Sequence, residues 1–184
     1  MTRPFRLEPF PGSVVRPGMS ISGSASRRED SLTIRFDVSG DIGDVEFATP
    51  SDSPERRNNL WEATCLELFL SAPGSDSYRE FNLSPAHHWN VYRFDGYRQG
   101  MREETLIRHL PFSTERTAGG FRLSLEVGIS ALFPGDGPLE AGVTAVIRMR
   151  DGTTTYWALA HTGPEPDFHR RDSFILLLPG REGA

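Results

Sequence analysis

The chain of 184 residues is 37% hydrophobic and 10% aromatic, which is enough to build a packed core and excludes the composition of a disordered protein. Its 25 acidic and 20 basic residues leave a net charge of −5 without any basic patch, so we expect no nucleic-acid partner. The single cysteine excludes an intrachain disulfide. No apolar run suits a signal peptide or a membrane helix of ~20 residues, so we expect a soluble, cytoplasmic protein without a membrane partner.

The first third of the chain contains short segments in which apolar and polar residues alternate, a pattern that predicts half-buried strands. The clearest segment is 32–38, where every second residue is apolar. The Ser- and Gly-rich segment 14–25 fits an edge strand or a loop equally well. The prediction is strands at 3–10, 32–38 and 45–47, a strand or loop at 14–25, and a polar loop at 49–59.

The rest of the chain is organised around residues 58–97, which predict three consecutive strands at 65–70, 78–84 and 89–94. Successive side chains of a strand point to opposite faces. One face of the first two strands then carries Leu66, Leu68, Leu70, Phe81 and Leu83. The other face carries Cys65, Glu67, Phe69, Tyr78, Glu80, Asn82 and Ser84. If the leucine face forms the core, the opposite face has the composition of a polar surface for a small ligand.

The last half of the chain predicts further strands with one helical turn. Residues 97–111 fit a strand or a loop, and Gly119-Gly120 and Asp151-Gly152 are typical of hairpin turns. The predicted elements are strands at 121–127, 143–149, 153–160 and 174–178, a helical turn at 129–133 and a loop at 164–171. About ten short strands with almost no helix indicate one antiparallel β-sandwich or jelly-roll domain that spans residues 1–184.

Glu67 and Glu80 are the residues that most suggest a function. A carboxylate in the middle of an apolar strand is costly to desolvate unless it is paired or hydrogen-bonded. The two can accept hydrogen bonds from sugar hydroxyls, form structural ion pairs with Arg148 or Arg150, or lie exposed to solvent. A pair of carboxylates can also serve a glycosidase, but the sequence does not report their separation.

Aromatic residues provide flat surfaces on which a sugar ring can stack, although core packing is the ordinary role of a tryptophan in a sandwich. Trp89 shares its face with Val91 and is expected in the core, whereas Tyr92 shares the polar face with Asn90. Trp61 precedes its strand among polar residues, so we expect it at the rim of a site.

His161 and His169 bracket a loop that contains Glu165 and Asp167 and can contact a ligand or a metal. Their spacing matches no zinc motif, and the only cysteine is distant, so we expect no metal. We expect instead that Asp167 and His169 hold the loop through hydrogen bonds to the backbone. The possible axial ligands of a non-covalent haem are His87, His88, Met101 and Met149.

Three segments resemble bacterial DOMON-like domains, which look related to family 9 carbohydrate-binding modules. They are 60–70 (LWEATCLELFL), 78–85 (YREFNLSP) and 89–94 (WNVYRF). In these relatives a Trp precedes an acid-bearing strand, and a strand of the Tyr-x-Glu-Phe type follows. The segments 145–147, 156–161 and 166–169 also resemble this group, so the resemblance spans residues ~30 to 178.

The resemblance implies a β-sandwich that binds a small ligand, with sugars and haem as the two ligand classes. The site residues that it implies are Trp61, Glu67, Tyr78, Glu80, Asn82 and Tyr92. The chain has no Lys, an axial haem ligand in some relatives. The sequence therefore predicts a non-catalytic carbohydrate-binding domain. The alternatives are a haem-binding redox module, a protein-interaction domain and a glycosidase-like enzyme, and the oligomeric state stays open.

Overall fold

The computed structural model describes residues 1–181 and is built almost wholly from β-strands. The strands are β1 (Thr2–Pro9), β2 (Ser20–Arg28), β3 (Ser31–Ser39), β4 (Cys65–Ser71), β5 (Tyr78–Leu83), β6 (Trp89–Phe94), β7 (Arg102–Glu103), β8 (Phe112–Thr117), β9 (Gly120–Gly128), β10 (Leu139–Arg148), β11 (Thr154–Ala158) and β12 (Leu176–Leu178). Short 3-10 helices lie at Leu60–Glu62 and Arg171–Ser173. Over residues 1–181, no helix has the length and apolar character needed to cross a membrane.

The strands pair antiparallel in the order β7-β6-β5-β4-β10-β11-β1-β2-β3-β9-β8, and β12 pairs with one end of β10. Strand β1 belongs to both layers of the fold. Its first part, Thr2 to Leu7, pairs with β2, whereas Glu8 and Pro9 pair with β11. This crossing curls the strands into two layers, and the predicted antiparallel β-sandwich of jelly-roll type is confirmed.

The main core lies between the two layers and contains the leucine face predicted from the sequence. Leu66 and Leu68 of β4 are fully buried against apolar side chains such as Ile34 and Phe36 of β3. Trp89 and Val91 belong to the same core, as their shared face predicted. Alternation along the strands therefore identified correctly which face of the central strands turns inward.

A second apolar cluster covers the opposite face of the same strands. It consists of Phe69, Tyr78, Tyr92, Phe94 and Phe174, with Trp61 and Phe168 packed against it. Because both faces are covered, every residue of β4 is buried. The polar residues on this face are consequently shielded from bulk water.

Several predictions of local structure differ from the fold. The strand predicted at 45–47 is wrong, since Val45 makes only one bridge, to Met149. Of the segment 14–25, only the part from Ser20 onward is a strand, and this strand continues to Arg28. By contrast, the helical turn predicted at 129–133 is confirmed, because Leu132 and Phe133 donate to the Ile129 carbonyl.

Candidate functional site

The floor of the candidate site is the outer face of β4, β5 and β10. In the strand register Glu67 lies opposite Thr144 on one side and Asn82 on the other. Glu80 lies opposite Phe69 of β4 and Tyr92 of β6. The two glutamates are therefore diagonal neighbours on adjacent strands, a geometry in which long side chains interact.

Segments from distant parts of the chain surround this floor and leave a cavity of about 350 Å³. The first 3-10 helix contributes Trp61, the turn after β6 contributes Arg98, and β11 contributes Tyr156. The loop after β11 contributes Phe168 and His169. The remaining lining residues are Glu67, Phe69, Glu80, Phe94, Met101, Val146 and Pro166. The predicted loop at 164–171 thus forms one wall of the cavity.

Glu67 and Glu80 are only 2% and 4% exposed, so both carboxyl groups are removed from bulk water. Thr144 Oγ1 donates a hydrogen bond of 2.8 Å to Glu67 Oε2. Asn82 Nδ2 donates one of 2.8 Å to Glu80 Oε1. Glu80 Oε2 is buried and finds no hydrogen-bond donor within residues 1–181. An unsatisfied buried acceptor costs roughly 1–3 kcal/mol, so a group that donates to this oxygen would stabilise it.

The two structural alternatives for the glutamates, ion pairing and exposure, are wrong. No ion pair in the described part of the chain includes Glu67 or Glu80, and Arg148 pairs with Glu46 instead, at 3.4 Å. Burial raises the pKa of Glu67 to about 8, and the nearby Glu80 carboxyl adds to this rise. Burial also raises the pKa of Glu80 to about 7, although the Asn82 hydrogen bond and the Arg98 charge oppose it.

Tyr78 is fully buried and lies behind the cavity wall. Its hydroxyl is 2.8 Å from Nδ1 of His169 and accepts a hydrogen bond from the Arg98 backbone N–H. Asp167 completes the arrangement, because it accepts from the backbone N–H of His169 and pairs with the Arg98 guanidinium at 2.8 Å. Tyr78 therefore holds together the two loops that frame the cavity. The predicted backbone hydrogen bond of Asp167 is confirmed, whereas the one predicted for His169 is wrong, because its ring contacts the Tyr78 hydroxyl instead.

Asn82 and Tyr92 also lie behind the wall and fix groups that line it. Asn82 is fully buried and donates to Glu80 as described. The Tyr92 hydroxyl donates to Asn58 Oδ1 at 2.7 Å, and its ring packs edge-on against Trp61 with centroids 5.8 Å apart. Both residues thus support the site from the sheet.

The two histidines that bracket the loop do not share a site. His169 lines the cavity, and burial lowers its pKa to about 4, helped by the Arg98 charge, so the ring is neutral at physiological pH. The Nε2 atom of His161 lies 2.9 Å from the Glu8 carbonyl, and its ring packs on Phe10. Of the predicted residues, the structure brings Trp61, Glu67, Glu80 and His169 together on the cavity wall.

Arg98, Phe168 and Pro166 line the cavity but were not predicted as site residues. They lie in loops without hydrophobic periodicity, and the resemblance of segment 166–169 to the DOMON-like group was the one sequence signal near Pro166 and Phe168. Phe69 and Phe94 also line it. Their position on the same strand face as Glu67 and Tyr92 was a usable signal, because every second residue of a strand shares a face.

No protein-family model matches the sequence, and no curated protein matches it. Solved structures are similar in fold. A candidate carbohydrate-binding protein from Bacteroides uniformis ATCC 8492 aligns with a TM-score of 0.68 at 14% identity, over 96% of this chain and 85% of that chain. A family 9 carbohydrate-binding module from Caldicellulosiruptor kristjanssonii in complex with cellotriose aligns with a TM-score of 0.62 at 10% identity, over 100% of this chain and 84% of that chain.

A family 9 module from the same organism, in complex with glucose, aligns with a TM-score of 0.52 at 13% identity, over 92% of this chain and 82% of that chain. At these low identities the similarity establishes the fold. The chain has the β-sandwich fold of these modules.

Proposed function

We propose that the protein binds a carbohydrate in the cavity on the outer face of β4, β5 and β10, without catalysing its conversion. The observation that carries this proposal is the buried Oε2 atom of Glu80, which has no donor within residues 1–181, at the floor of an aromatic-lined cavity. A sugar hydroxyl supplies the missing donor. The similarity in fold to family 9 modules with cellotriose and glucose supports the same ligand class.

The walls suit a sugar ring because they combine flat apolar surfaces with a polar floor. Tyr156 is 37% exposed, and Trp61 and Phe168 are partly buried, so three rings border the cavity with accessible surface. The cavity volume of about 350 Å³ lies at the lower end of the range of ~300–1,000 Å³ for small-molecule sites. A ligand of one or two sugar rings fits that size better than a long chain bound along its length.

Isothermal titration with a panel of glucose- and glucosamine-based disaccharides tests the proposal. We expect saturable binding to at least one of them, and loss of binding in Trp61→Ala. His161→Ala is the matched control, since His161 lies outside the cavity on the Glu8 carbonyl. Failure of every sugar in a broad glycan array would overturn the proposal. Release of new reducing ends from a bound sugar would contradict its non-catalytic part.

Haem is the second candidate ligand, because Met101 and His169 line the same cavity. Neutral imidazole and thioether are suitable axial ligands. A cavity of about 350 Å³ is narrow for a porphyrin, however. We therefore expect no Soret shift when haem is added. A saturable shift that His169→Ala abolishes would favour a redox module of the DOMON-like type.

A further inference from the structure

The floor of the cavity carries two acids without a counter-ion. Glu67 and Glu80 are both nearly fully buried, and neither forms an ion pair with any of residues 1–181. Each has one hydrogen bond from a neutral side chain, Thr144 or Asn82. Buried carboxylates in proteins are ordinarily paired with a cation, so this arrangement is incomplete without one.

The surroundings do not supply the missing positive charge. Arg98 is the only cationic side chain among the described residues that line the cavity, and its guanidinium is paired with Asp167 at 2.8 Å. The other titratable groups that face the pair are Cys65, Tyr78, Tyr92 and His169, which are uncharged at neutral pH. Beyond them, near Tyr92, Glu103 and Arg56 carry opposite charges. The cavity therefore has an excess of negative charge whenever the two glutamates are ionised.

We propose that the carbohydrate bound in this cavity is an amino sugar, whose protonated amine sits between Glu67 and Glu80. This inference rests on the proposed function. An ammonium group has three N–H donors and no acceptor, and so matches a floor made of carboxylate oxygens. The aromatic rings of the wall, Trp61 among them, also attract a cation placed over their faces. A neutral hexose satisfies the same oxygens but leaves the charge uncompensated.

Proton release is the signature of this ligand. Burial keeps the pair partly protonated near neutral pH, since it raises the pKa of both glutamates. An ammonium ion favours the ionised form, so binding moves a proton from the pair to the solvent while the ligand keeps its own. A neutral sugar offers the pair hydrogen bonds but no charge, so it changes the protonation of the two glutamates less.

The test is isothermal titration near pH 6.5 in two buffers of different ionisation enthalpy, with three disaccharides as probes. These are the glucosamine disaccharide, its N-acetylated form and cellobiose. We expect the glucosamine disaccharide to bind at least ~tenfold more tightly than the other two. Proton release, measured as a buffer-dependent enthalpy, should be largest in its titration.

Glu80→Gln removes the charge with little change of shape, and it should bring the affinity ratio between the glucosamine disaccharide and cellobiose close to one. Glu62→Gln changes the net charge equally at an exposed position of the 3-10 helix and should leave the ratio unchanged. Circular dichroism checks that both variants fold.

Each remaining outcome is decisive. Cellobiose that binds as tightly as the glucosamine disaccharide would overturn the amino-sugar inference and leave the proposed function standing. Binding of none of the three would overturn the amino-sugar inference, and the glycan array would then decide the proposed function separately. Ca²⁺ or methylammonium could release as many protons as the glucosamine disaccharide while the protein shows no preference among the three sugars. Glu67 and Glu80 would then form a general cation site, and the inference would be refuted.

Discussion

Replacing Glu80 by glutamine should stabilise the protein at alkaline pH and change little at acid pH. The amide oxygen of Gln can take the position of Oε1 and keep the hydrogen bond from Asn82 Nδ2. The amide nitrogen takes the position of Oε2, which has no partner within residues 1–181 in the wild type either. The substitution therefore removes the ionisable proton of Glu80 without adding a new unpaired group.

The size of the effect follows from the pKa of the buried carboxyl. Burial raises the pKa of Glu80 from its ordinary 4.5 to about 7, and each pKa unit corresponds to ~1.4 kcal/mol. A raised pKa contributes stability that is complete below about pH 4.5 and is lost as the pH rises through about 7. Ionising Glu80 in the folded state should therefore cost about 3 kcal/mol at pH values well above 7.

Urea denaturation followed by tryptophan fluorescence measures this difference. Wild type and Glu80→Gln should have similar free energies of unfolding near pH 4.5, and the variant should be more stable by ~2–3 kcal/mol near pH 8.5. Glu62→Gln, at an exposed position, should stay within about 0.5 kcal/mol of wild type at both pH values. If wild type and Glu80→Gln lose stability in parallel across this range, Glu80 is not a buried, uncompensated acid and the reasoning fails.

Three further substitutions test other parts of the site. Trp61→Ala should weaken sugar binding by at least ~tenfold, measured by titration, because it removes one ring of the wall; an unchanged affinity would contradict the proposed stacking. Gly142→Ala should lower the free energy of unfolding by ~1–3 kcal/mol, because its new Cβ would meet the Phe174 ring at 2.7 Å. A variant as stable as wild type would show that this ring yields easily. Tyr78→Phe removes the hydroxyl bonded to His169 and should cost about 1 kcal/mol and speed amide exchange in that loop; unchanged exchange would refute its role in holding the loop.

Strand alternation made the face of the sheet predictable. A period of two places Glu67 with Phe69 and Glu80 with Asn82, whatever the rest of the chain does. The same rule assigned Trp89 to the core. Which acid lies beside which amide is a matter of register, and the register between β4 and β5 follows from packing that no single strand reveals.

The walls of the cavity were not predictable in the same way. Arg98 and Phe168 lie 70 positions apart in the sequence, in loops that Tyr78 and Asp167 join. Tyr78 itself was predicted as a ligand contact, but the structure places it behind the wall. The alternation of side chains along a strand indicates the face on which a residue lies. How deeply that residue is buried depends on the loops packed over the strand.

The depth of the two glutamates is also what separates a functional interpretation from a structural one. On an open sheet face both carboxylates would be solvated by water and would need no functional explanation. The sequence allowed that possibility. Here the loops withdraw water from Glu80 Oε2 and give it no hydrogen-bond donor and no ion pair within residues 1–181, and the Arg98 charge that acts on Glu80 is itself paired with Asp167. If this face contributed only to stability, an apolar residue in place of Glu80, or an arginine paired with Glu80, would stabilise the fold better. The proposed amino sugar would supply what this acid lacks within residues 1–181, because its ammonium group brings both a hydrogen-bond donor and a positive charge.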